Sequence, residues 1–135
     1  MYKRQCHKFF RLGTPSAAWT DTPTILQATA LAEPGDVYLM ISHTGRWPRL
    51  AQAQENALGR GATVLAFTQP GSPMAAASSL CFPCEVDEDT SVYTPMSSRL
   101  AQLALLDALQ VAVALSLGET AGRNLQASKR VLERV

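Results

Sequence analysis

The chain has 135 residues, 47% of them hydrophobic and 17% charged, and a formal net charge of +1. That length suits one domain with a sizeable core, and the composition excludes a disordered chain. The near-zero net charge removes any global electrostatic case for nucleic acid as a partner.

Residues 1–5 (MYKRQ) resemble the translated end of a transposase sequencing adapter and read as a non-native leader on a truncated reading frame. The domain proper is expected over residues 6–135, incomplete at its N-terminus. Residues 6–12 (CHKFFRL) pattern as the last turns of a helix closed by Gly13. A short strand is expected over residues 16–20. Residues 23–33 have helical spacing, with Asp21 or Thr22 as N-cap and Pro23 at a helix-start position. After the Pro34-Gly35 turn, residues 36–41 (DVYLMI) form a continuous apolar run, the mark of a strand covered on both faces. Residues 48–60 predict a helix with Leu50, Ala53, Ala57 and Leu58 toward the core, closed by Gly61. Residues 63–68 (TVLAFT) are a second buried strand. A short helix over 74–77 and a short strand over 79–82 follow. Residues 85–93 are an acidic loop, 95–117 a long apolar helix stopped by Gly118, and 122–135 a basic terminal helix. Strands alternating with helices imply a parallel sheet with right-handed crossovers.

No stretch supplies the roughly 18 uninterrupted apolar residues of a membrane span. Residues 103–117 come nearest, but Asp107 and Gln110 interrupt them. Asp107 reads as a hydrogen-bonded residue at a packing surface. The N-terminus has charge without the apolar stretch of a signal peptide. Cys81-Phe-Pro-Cys84 is a lone CxxC with no second ligand pair, and Pro83 opposes a helix there. With Cys6 the three cysteines read as reduced, structural thiols, which suits the cytosol. No metal and no cofactor are expected.

Ser42-His43-Thr44-Gly45-Arg46 follows the apolar strand and leads into a helix. Ligands in open α/β sheets bind beyond the carboxyl ends of strands. Two hydroxyls, a glycine that admits close backbone approach, a fixed cation and a helix N-terminus suit an oxyanion. A plain capped turn would use the same residue types, and the residues alone leave both readings open.

Three segments in order, GDVYLMISHTGRW, GATVLAFTQPGSPMA and EDTSVYTPMSSRLAQLALLDALQVAVAL, resemble the sugar isomerase (SIS) phosphosugar-binding domain. The likeness is to the C-terminal sensor half of RpiR-type, hexose-catabolism regulators, over residues 6 to about 118. It implies a flavodoxin-like three-layer α/β/α sandwich with a parallel sheet, here without its first strand. It also implies that Ser42, Thr44 and Gly45 bind the ligand phosphate, that His43 adds its backbone N–H, and that Trp47 stands where the family has a threonine. An earlier serine turn of the family lies outside this chain, as does an N-terminal helix-turn-helix domain through which such regulators bind DNA. Residues 88–99 resemble the stretch that closes over the sugar. Glu88 and Arg99 would meet sugar hydroxyls or a carboxylate, and Thr94 or Ser97 would cap the long helix.

The resemblance thus implies a cytoplasmic, homo-oligomeric sensor of a sugar phosphate or phosphorylated sugar acid, with residues 95–117 at a dimer interface. A phosphosugar isomerase is the alternative, with Glu88 as the one nominated base and His7 set aside as packing or surface. A ligand-free scaffolding domain is the third reading.

Overall fold

The structure is a computed structural model and describes residues 2–89, 91 and 96–133. In chain order these form α1 (Tyr2–Arg11), α2 (Thr22–Ala30), β1 (Val37–Ile41), α3 (Pro48–Gly59), β2 (Thr63–Thr68), α4 (Pro73–Ala77), β3 (Leu80–Pro83), α5 (Ser97–Leu117) and α6 (Glu119–Leu132). The chain divides into two compact units, Trp19–Gln102 and the pair Met1–Ala18 with Leu103–Val135.

The first unit is an α/β fold on a parallel sheet of order β1-β2-β3. Local chemistry starts its helices. Asp21 accepts a hydrogen bond from the Thr24 N–H at 2.9 Å, and Pro23 opens α2. Pro48 opens α3, and Pro73 opens α4 behind the Ser72 cap. One face of the sheet carries the core. Met40 of β1 and Val64 and Ala66 of β2 meet Leu50, Ala53 and Ala57 of α3, with Ala32 and Met74 completing it. Alanines at these positions let α3 lie close to the strands. Phe67 of β2 pairs with Phe82 of β3, their rings stacked at 4.7 Å.

Register is what positions the site. Ile41 lies opposite Phe67, so β1 and β2 end side by side. The loops after them, residues 42–47 and 69–72, therefore leave the sheet at the same end. Main-chain bonds then tie them: the Gln69 N–H donates to the His43 carbonyl at 3.1 Å, and the Met74 N–H to the Gly45 carbonyl at 3.2 Å.

The second unit holds α1, α6 and the part of α5 from Leu103 onward. Gly13 closes α1 in the left-handed region, φ 92°, where glycine carries no Cβ penalty. The Asn124 side chain donates to the Leu12 carbonyl at 2.8 Å. On α5, Asp107 accepts from Lys8 at 2.5 Å and from Gln5 at 2.8 Å, as a hydrogen-bonded residue at a packing surface should. Both donors hold its carboxyl below the usual range, Lys8 the more strongly.

Several expectations are corrected. Residues 16–20 are not a strand: among the described residues none pairs with them, and a lone extended segment has no ladder to satisfy its N–H and C=O groups. The helix expected over 23–33 ends at Ala30, ahead of the Pro34-Gly35 turn. The terminal helix begins at Glu119, directly after Gly118 at φ 54°, so Gly122 lies inside it. Pro95 and Thr94 lie outside the described residues. By length and composition α5 is long and apolar enough to cross a membrane, mean hydropathy 1.8, despite Asp107 and Gln110. Only 11% of that apolar stretch is buried; Ser98, Gln102 and Leu106 are buried, and Asp107 is ion-paired with Lys8.

Candidate functional site

Where β1 and β2 end, a cleft of about 430 Å³ opens, walled by His43, Thr44, Gln69 and residues 85–88. Its first wall is the loop of residues 42–46. Ser42 holds this loop at both ends. Its N–H donates to the Phe67 carbonyl at 3.1 Å, and its hydroxyl oxygen accepts from the Gly45 N–H at 3.1 Å. The hydroxyl proton of Ser42 is left free to point at a ligand oxygen, because accepting a bond does not use it.

Gly45 is a glycine for two reasons. Its φ is 61°, and a Cβ there would overlap the Ser72 hydroxyl and stand 2.5 Å from the Thr68 hydroxyl. Thr68 and Ser72, both buried, face each other at 3.5 Å and form the floor against which the loop is pressed. Thr44 and Arg46 are exposed. The His43 ring stands in the wall, its Nδ1 buried and without a hydrogen-bond partner. Trp47 is the N-cap residue of α3 and makes no side-chain cap. The residue is 44% exposed.

The opposite wall is acidic: Glu85, Asp87 and Glu88 with Val86. Glu88 has a second attachment. One carboxylate oxygen accepts from the Met96 N–H at 2.6 Å and the Ser97 N–H at 2.8 Å; the other accepts from the Ser98 N–H at 3.3 Å and from the Ser98 hydroxyl. Glu88 thus caps α5 from eight to ten residues upstream. The Ser98 hydroxyl, then the Met96 N–H, pull its pKa down to about 2.

Of the residues singled out from sequence, His43, Thr44 and Glu88 come together on the cleft walls, and Ser42 and Gly45 shape the loop behind them. Arg46 and Ser97 are exposed outside those walls. Ser97 is not the cap of α5; its N–H is one of the groups being capped. Sequence reasoning missed Gln69, Glu85 and Asp87 as walls and Thr68 and Ser72 as floor. The rule that ligands sit beyond strand ends, applied to β2 as well as β1, points to Thr68 and Gln69.

The thiols of Cys6, Cys81 and Cys84 are free, and burial pushes all three up, away from the reactive thiolate range. No group of three or more His, Cys, Asp or Glu side chains among the described residues is placed to hold a metal ion.

The model of the SIS domain matches residues 6–112. The chain belongs to the SIS domain family. Two relatives are the HTH-type transcriptional regulators HexR of Pseudomonas aeruginosa and of Escherichia coli. The first is 41% identical over 112 residues, covering 83% of this chain and 39% of the relative. The second is 36% identical over 127 residues, covering 94% and 44%. The chain thus spans about two fifths of the length of these curated relatives. Among solved structures, the NanR protein of Vibrio vulnificus, complexed with ManNAc-6P, superposes with a TM-score of 0.87 at 20% identity, over 98% of this chain and 50% of that one. That likeness carries the SIS fold to this chain.

Proposed function

We propose that this chain is the phosphosugar-sensing domain of a bacterial, cytoplasmic transcriptional regulator of carbohydrate metabolism, taking a sugar phosphate or phosphorylated sugar acid. The observation that carries this reading is the clamped loop of residues 42–46 at the joint end of β1 and β2, facing a cleft of sugar-phosphate size. The Ser42 and Thr44 hydroxyls and the N–H groups of His43 and Thr44 receive the phosphate, those of Ser42 and Gly45 being bonded within the fold, and Arg46 adds positive charge beside the loop. Gln69 and the acidic wall then meet the hydroxyls of the sugar body. HexR regulators among the relatives and a phosphosugar in the NanR complex support the assignment.

Glu88 favours sensing over isomerisation. A general base works best with a pKa near the operating pH. Glu88 sits at about 2 and spends both oxygens on the start of α5, so it is a poor proton acceptor.

The sensor acts as a homodimer through α5. Leu100, Ala104, Ala108, Val111 and Leu115 are all exposed and fall at intervals of three and four, which lines them along one side of the helix. A second copy of the chain covers that stripe. Ligand docking biases the relative orientation of the two copies, and hence of DNA-binding domains carried elsewhere in the longer protein. The test is operator binding by the full-length protein. At least one phosphosugar should change operator affinity by five-fold or more, and Ser42→Ala should abolish the response. Identical operator affinity with and without every phosphosugar tested would contradict the reading.

A further inference from the structure

We propose that Glu88 is a positioning residue through which a sugar body in the cleft competes with the first turn of α5. The inference rests on the sensing function above and adds how the site reports occupancy.

The argument is one of hydrogen-bond supply. The first turn of a helix leaves N–H groups without intrahelical partners. At α5 the residue ahead of the helix is Met96, whose side chain offers no oxygen to accept them. Glu88 supplies the acceptors instead, to the N–H groups of Met96, Ser97 and Ser98 and to the Ser98 hydroxyl. An ionised carboxylate has about four lone-pair sites. Four donors already use them. Glu88 is also one of the residues that line the cleft, together with His43, Thr44 and Gln69. A ligand hydroxyl that bonds to Glu88 therefore has to displace a donor of α5. A ligand that fills only the phosphate end leaves those donors in place. Discrimination between phosphate and phosphosugar is thereby written into one carboxylate, and the response emerges at the N-terminus of the longest helix.

The test is an NMR titration of the whole chain with glucose 6-phosphate, fructose 6-phosphate, arabinose 5-phosphate, N-acetylmannosamine 6-phosphate and 6-phosphogluconate, with inorganic phosphate as control. Amide protons bound to a carboxylate resonate downfield. At least one phosphosugar should move the amides of residues 42–46 and also shift those of Met96, Ser97 or Ser98 upfield; inorganic phosphate should move only the first group. In Glu88→Gln the resonances of 96–98 should already be upfield and should stop responding. A purely structural cap predicts that the wild-type resonances of 96–98 ignore the ligand. Shifts at 42–46 with 96–98 unmoved or moved downfield would overturn the inference while leaving the sensing function standing. No shift at 42–46 with any of the five would remove both. The wild-type titration decides the matter even if the variant folds poorly.

Discussion

Gly45 is the residue on which the loop geometry turns. Its positive φ and the Thr68 and Ser72 hydroxyls beneath it leave no room for a Cβ. Gly45→Ala should destabilise the fold by about 1–3 kcal/mol, from backbone strain and overpacking together. Chemical denaturation measures this as a lower midpoint at unchanged slope. Glu88 makes a different prediction, in pH. Its folded pKa, about 2, lies below the ordinary value of 4.5. A depressed folded pKa means that the stabilisation is complete above about 4.5 and is lost as pH falls toward 2. The stability gap between wild type and Glu88→Gln should accordingly be constant near neutrality and close across that acid window. A gap that stays open at pH 2 would show that the charge of Glu88 is not what holds α5. Trp47, placed where the resemblance leads one to expect a hydroxyl, is exposed and gives the start of α3 no side-chain cap.

At the scale of elements, α5 is the helix with an unexplained surface. Leu100, Val111 and Leu115 are 67%, 54% and 77% exposed, too apolar a stripe to face water at no cost. Leu115→Lys should leave the stability of the single chain within about 0.5 kcal/mol, as exposed substitutions do. In sedimentation the wild type should run as a dimer and Leu115→Lys as a monomer. A wild type that is monomeric at all concentrations would remove α5 as an interface.

The elements also show what sequence can reveal. The strands over 36–41 and 63–68 and the helix over 48–60 are legible from unbroken apolar runs and helical spacing, yet the first strand is not covered on both faces as expected: it buries Met40 and leaves Val37 and Leu39 exposed, because an apolar run reports strand propensity and not which face a neighbour covers. The Ser42–Gly45 motif is legible because hydroxyls and glycine at a strand end serve a local geometry. Residues 16–20 are misread because strand propensity says nothing of whether a neighbour is present to pair. The role of Glu88 is hidden for the same kind of reason: its partners lie eight to ten residues away, across a loop, and no local pattern announces a cap supplied from that distance. Gln69 and Asp87 become walls only once the parallel register sets the ends of β1 and β2 side by side.

For the whole molecule, binding and stability are one equilibrium. A ligand that binds only the folded chain stabilises it by about 2.7 kcal/mol at a hundred times its dissociation constant. A scaffolding domain without a ligand predicts no such gain, and a capped turn at residues 42–46 predicts none that depends on its hydroxyls. Thermal melting of the chain against the phosphosugars, in wild type and in Ser42→Ala and Thr44→Ala, therefore tests the central claim most directly. At least one phosphosugar should raise the wild-type melting temperature by several degrees, and each substitution should remove most of that gain. A wild type that melts at the same temperature with every phosphosugar, or variants that gain as much as wild type, would contradict a phosphate site at residues 42–46.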